Sequence, residues 1–144
     1  MRIYWTIVKT NNAKPAFFEP KNQLKGISMT TPIVHQNPYY ELLRLERITE
    51  FNQRKARGEV KGDMLRGGDF RGLDLRELDA SGLDLRDAYF RGADLRGIDF
   101  RNTQLEGASF CQAHISGCFF PREINADELR LSFDLGIRVR YQDN

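Results

Sequence analysis

Residues 69–120 read DFRGLDLRELDASGLDLRDAYFRGADLRGIDFRNTQLEGASFCQAHISGCFF, and every fifth position is apolar. The series runs Phe70, Leu75, Ala80, Leu85, Phe90, Leu95, Phe100, Leu105, Phe110, Ile115, Phe120, with Ala80 its one small member. An α-helix repeats every ~3.6 residues and an extended strand every ~2, so a five-residue register fits neither. A short unit repeated in tandem is the mark of a stacked coil, whose units bury their apolar residues against one another.

Cut at this register, the chain gives LDLRE, LDASG, LDLRD, AYFRG, ADLRG, IDFRN, TQLEG, ASFCQ and AHISG. These units resemble the pentapeptide-repeat family, whose motif is written A(D/N)LXX. The likeness covers residues 68–120 and extends more weakly back to Leu65 and Val60. The resemblance implies a mainly β fold: a short right-handed quadrilateral β-helix in which each pentapeptide is one side and four make a coil. On that geometry Phe70, Phe90 and Phe110 share one side, and Leu75, Leu95 and Ile115 the next. Ala80, Phe100 and Phe120 take the third, and Leu65, Leu85 and Leu105 the fourth. Stacked like residues of this kind would make a dry core about three coils deep, roughly 13 Å at strand spacing.

The position two before each central residue is usually small in the family. Gly68, Ala88, Ala93, Ala108 and Ala113 comply, whereas Leu73, Leu78, Leu83 and Ile98 do not. The first coil is therefore expected to be wider or distorted, with Leu78 next to Ala80 conserving local volume.

Charged residues flank the central ones. Asp precedes at 69, 74, 79, 84, 94 and 99; Arg follows at 66, 71, 76, 86, 91, 96 and 101. From Val60 to Phe120 eight positive and ten negative residues leave −2, and the whole chain, with 22 basic and 20 acidic residues, stands at +2. The rows read as a mutually neutralising, solubilising lattice. Arg71, Arg91, Arg76, Arg96, Arg86, Arg138 and Arg140 are kept as a candidate interaction surface, since regularly spaced arginines could track phosphates. No aromatic side chains interleave with the repeat arginines to stack bases.

The rest of the chain reads as extension and caps. Residues 1–36 form an N-terminal extension: Ile3, Trp5 and Ile7 alternate as a short strand, followed by a loosely attached linker. Met29 opens MTTP as a second candidate start, so residues 1–28 are either a native extension or an over-extended reading frame. Residues 37–58 read as one capping helix, with Asn37 as N-cap, Pro38 at the first helical position and Gly58 beyond the end. Its apolar face is Leu42, Leu45, Ile48 and Phe51, broadened by Tyr39 and Leu43. The β-helix occupies 59–120. In 121–144, Asn125 and Glu128 form a capping box, and Ile137, Val139 and Tyr141 alternate as a terminal strand. That strand serves as a cap or, as the family resemblance implies, as a homodimer contact.

Chemistry is sparse. Cys111, His114 and Cys118 have a zinc-like spacing, but in the repeat register Cys111 and His114 point outward on consecutive sides while Cys118 points inward. His35 has no acidic or nucleophilic partner nearby in sequence, and the serines lack a nucleophile elbow. The chain reads as a non-enzymatic module with no cofactor and no metal, partnering another protein in the cytoplasm. No run of ~18 apolar residues is present to span a membrane. Two further readings stand beside it: a DNA mimic acting on gyrase or topoisomerase, which the family resemblance offers, and phosphate-backbone binding through the Arg rows.

Overall fold

The computed structural model describes residues 31–143. The strand expected over Met1–Thr10 and the loose linker expected before residue 29 lie outside them. Within the repeats the backbone turns a corner every five residues, marked by left-handed φ at Gly67, Gly72, Glu77, Gly82, Asp87, Gly92, Gly97, Gly107, Gln112 and Gly117. Gly107 shows why glycine suits this place: at φ 81° an added Cβ would also sit 2.2 Å from Asp87 Oδ1.

Successive coils are held in parallel at a spacing of twenty residues. Asp69 bridges Tyr89, Tyr89 bridges Ser109, Asp74 bridges Asp94 and Asp94 bridges His114. Phe70 N–H donates to Tyr89 O and Phe90 N–H to Ser109 O, both at 2.9 Å. These are isolated bridges, and no strand forms among the described residues. The mainly β expectation is therefore not met as strands or a sheet among the described residues, where isolated parallel rungs stand in their place: each five-residue side is spent on a corner after two or three extended residues.

Ladders of like side chains fill the interior. Phe70 and Phe90 stack at 5.4 Å and 15°, and Phe90 and Phe110 at 5.3 Å and 12°. Phe100 stacks on Phe120 at 5.6 Å. Leu75, Leu85, Leu95 and Leu105 are fully buried alongside them. Ile115 and Phe120, in the last coil, are only half-buried.

The distortion foreseen for the first coil falls on one side. Bridges join Asp84 to Gln104 and Asp99 to Phe119, but none joins Asp79 to Asp99. There Gly82 N–H donates to Asn102 O, twenty residues on, where Gly72 and Gly92 reach nineteen, to Arg91 and Cys111. Leu78 and Ile98, both buried, occupy the positions that hold Ala88 and Ala108 elsewhere, and their bulk breaks the rung. Thr103 is drawn into the gap, its hydroxyl donating to Ala80 O at 2.8 Å.

The single helix expected over 37–58 is two helices. Helix α1 spans Pro38–Arg44 and α2 spans Ile48–Ala56. Asn37 caps α1 by accepting Tyr40 N–H at 2.8 Å. Between them Glu46 turns left-handed at φ 58°, and Arg47 N–H folds back to Leu42 O. Leu45 is therefore expelled, 59% exposed, and Tyr40 takes a place in the buried face with Leu42, Leu43 and Phe51. Tyr40 closes the aromatic column edge-on, 5.5 Å from Phe70.

Helix α3 spans Ala126–Leu135 and ends on left-handed Gly136. Asn125 accepts Glu128 N–H at 2.8 Å, so half of the capping box forms. The Glu128 carboxylate turns instead to Arg140. The residues after Gly136 form no strand of their own. Val139 N–H donates to Ala108 O and Gly107 N–H to Val139 O, which adds one rung to the last coil and buries Val139.

Candidate functional site

The charged flanks are built from a local motif. In the pairs Asp69–Arg71, Asp74–Arg76, Asp84–Arg86, Asp94–Arg96 and Asp99–Arg101 the guanidinium grips the carboxylate through Nε and Nη2 at 2.6–3.0 Å. The same Asp Oδ1 accepts the arginine's backbone N–H at 3.0–3.3 Å. Each Asp thus ties down the corner that follows it, and the Arg then closes over the Asp. Where Ser81 replaces Arg, its hydroxyl donates to Asp79 Oδ1 and Lys55 of α2 reaches Asp79 Oδ2 at 2.8 Å.

The electrostatics follow from this geometry. The side-chain bonds from Arg71, Arg76, Arg96 and Arg101 hold Asp69, Asp74, Asp94 and Asp99 below the usual carboxylate range, Asp99 to about 2. Burial pushes Asp84 upward, but the bonds from Arg86 outweigh it and the net direction is down. Cross-coil contacts extend the lattice: Arg76 lies 3.5 Å from Asp94, and Arg66 grips Asp87 at 2.9 Å.

The candidate surface arginines are therefore spread and engaged. Arg71 and Arg91 lie on the first side, Arg76 and Arg96 on the second, and Arg86 on the fourth. Arg138 lies over the Tyr89 ring at 4.7 Å and 3.8 Å from Asp87 Oδ1. Arg140 holds the buried Glu128 carboxylate, whose pKa is lowered by that bond. Arg91, where Tyr89 replaces the aspartate, donates to Cys111 Sγ at 3.3 Å. No single face collects them.

Cys111 corrects an expectation. Set outward by the register, it is nevertheless buried, because Gly136 at the end of α3 closes over its sulfur. Cys118 points inward, half-buried, and donates to Leu95 O at 2.9 Å; burial pushes its thiol pKa up. His114 is exposed, and among the described residues no three His, Cys, Asp or Glu side chains gather to hold a metal. His35 Nε2 donates to Arg66 O at 2.7 Å. No helix among the described residues is long and apolar enough to cross a membrane.

The two ends of the stack are finished differently. At the N-terminal end every side meets a partner. Asp69 N–H reaches Ile33 O and Tyr40 Oη; Asp74 N–H reaches the Glu46 carboxylate at 2.9 Å. Asp79 N–H reaches Asn52 Oδ1 at 3.0 Å, while Asn52 Nδ2 returns a bond to Glu77 O. Asn37 Nδ2 donates to Met64 O on the fourth side.

At the C-terminal end two sides are finished in this way. Leu105 N–H donates to Tyr141 Oη and Phe110 N–H to Ser132 Oγ, at 2.8 and 2.9 Å. Gly107 N–H donates to Val139 O, and Gln112 N–H to Phe133 O. Over residues 113–120 the cover stops. The N–H groups of Ile115, Gly117 and Phe120 have no acceptor among the described residues. Phe119 is 55% exposed, with the Arg101 guanidinium 4.6 Å above its ring. Sequence reasoning missed this edge, although one signal was present: residues 107–120 contain no Asp, Glu, Lys or Arg.

Residues 64–92 and 88–122 match the family model of pentapeptide repeats, in eight copies. Neither a curated protein nor a solved structure matches the chain.

Proposed function

Because the chain belongs to the pentapeptide-repeat family through residues 64–122, we propose that it works as a non-enzymatic protein-interaction module in the cytoplasm. The family's repeats imply a right-handed β-helix, a scaffold that offers other proteins flat and rigid sides. The observation that carries the reading is the closure of the Asp–Arg pairs, five of them within single pentapeptides. Guanidiniums already gripped by neighbouring carboxylates are poor followers of a phosphate backbone. Aspartates neutralised in the same pairs are poor imitators of one, which disfavours gyrase mimicry. What remains is a stiff, electrically balanced flank suited to a protein partner.

Photo-crosslinking of the purified full chain in an extract of its native cell tests the reading. One saturable protein adduct, competed by unlabelled chain, is the expected result. The reading fails if the chain instead inhibits gyrase supercoiling, or binds DNA with an affinity that falls steeply between about 50 and 200 mM salt.

A further inference from the structure

We infer that residues 113–120, the half of the last coil left uncapped among the described residues, form a docking edge for an extended, uncharged, apolar segment of another protein. The inference rests on the interaction-module reading and specifies its surface. Three observations converge there. First, Ile115, Gly117 and Phe120 present a row of N–H donors with no acceptor among the described residues, at the spacing by which each lower coil receives its neighbour. An unpaired edge of this kind is a template for strand addition.

Second, the edge carries apolar side chains that the described residues leave incompletely buried. Ile115, Cys118 and Phe120 are half-buried, and Phe119 is exposed. Residues 107–120 are free of formal charge in a chain that is 29% charged. Depletion of charge from an otherwise charged surface is the compositional mark of an interface core. It selects against a charged occupant: the Arg101 guanidinium over Phe119 repels a cation, and its grip on Asp99 leaves it no free counter-charge for an anion.

Third, the molecule displays the mode of occupancy one side away. Its own segment Ile137–Tyr141 lies along Gly107 and Ala108, exchanges two backbone bonds with them, and buries Val139 completely. The same coil continues directly into the open half. The docked segment therefore shares that cover's backbone pairing and apolar anchor, with an apolar residue inserted over Ile115 or Phe120; it differs from the cover, whose Arg138 guanidinium donates to Gly107 O, in carrying no charge on the edge.

The test pans the full-length chain against phage-displayed random peptides of roughly a dozen residues, long enough to span two sides. Selected peptides are then synthesised and measured against the chain, against Phe119→Lys, and against Leu45→Lys at the opposite end. Both substituted positions are exposed, so the fold is retained, and circular dichroism checks this. The expected outcome is enrichment of uncharged sequences with an apolar anchor. Their affinity should fall about tenfold or more in Phe119→Lys and stay unchanged in Leu45→Lys. Amide exchange at Ile115, Gly117 and Phe120 should slow when peptide is bound. Failure to enrich any peptide, or binding that ignores Phe119→Lys, overturns the inference. So does a homodimer that Phe119→Lys dissolves, because a second copy would then own the edge. If the crosslinked protein contacts the Asp–Arg flanks instead, the interaction-module reading survives and the edge proposal alone falls.

Discussion

The N-terminal and C-terminal ends of the solenoid solve one problem to different degrees. Both must cover a disc of apolar rungs and satisfy a ring of backbone donors. At the N-terminal end two short helices and the turn between them supply Tyr40, Glu46 and Asn52 as side-chain acceptors, one for each of three sides, and Tyr40 also roofs the phenylalanine column. At the C-terminal end one helix and one extended segment reach only the sides of Leu105 and Phe110. A buried donor left without a partner costs ~1–3 kcal/mol, so a structure tends to keep an unfinished edge where water or a partner can supply the missing acceptors. The difference teaches that capping here is done bond by bond, and that the open half is a local feature of residues 113–120.

The largest expected effect separates the middle of the stack from its open end. Phe90→Ala removes a fully buried rung between two parallel rings and should cost about 3–5 kcal/mol in denaturant unfolding. Phe120→Ala, at the half-covered edge, should cost about half as much, because part of its surface already meets water. Equal losses would erase the distinction between closed core and open end.

Next come the caps themselves. Ser132→Ala leaves Phe110 N–H buried without an acceptor and should cost about 1–3 kcal/mol. Asn52→Ala removes two bonds at the opposite end, where water can enter, and should cost about 1 kcal/mol. Thermal unfolding of the two variants at one pH compares them directly.

A smaller effect concerns the flanks that join the ends. Asp69, Asp74, Asp94 and Asp99 have lowered pKa values when folded, so their contribution is complete above the unfolded value of about 4. As pH falls through the folded values, Asp99's near 2, protonation releases the arginines and that contribution is lost. The melting temperature should therefore be flat from neutrality to about pH 4 and fall progressively toward pH 2. A decline beginning near pH 6 would point to other groups.

Much of this architecture could be read before any coordinates. Phe70, Phe90 and Phe110 stand twenty residues apart, and a twenty-residue coil is what stacks them. The broken rung at Leu78 and Ile98 was visible as bulk where alanine is usual. The helix break was not, because Leu45-Glu46-Arg47 contains neither glycine nor proline. Glu46 takes a left-handed turn while its carboxylate is anchored on Asp74 N–H, a bond between residues 28 apart. The aspartates read correctly as charge partners, but their second task, binding the backbone of the corner, depends on a local fold that composition does not reveal. Cys111 was misplaced for a similar reason, since its cover arrives from Gly136. The smallest prediction follows from the helix break: Leu45→Ala should change stability by no more than about 0.5 kcal/mol, as for other exposed positions. A loss near 3 kcal/mol would restore one continuous helix with Leu45 on its buried face.

Residue-resolved amide hydrogen exchange on the intact chain tests the contrast between the ends most directly. Asp74 and Asp79 at the helical end, and Leu105, Gly107, Phe110 and Gln112 under the C-terminal cover, should be protected, while Ile115, Gly117 and Phe120 exchange rapidly. Uniform protection across 105–120, or equally fast exchange at Asp74 and Asp79, would contradict a stack closed on four sides at one end and on two at the other.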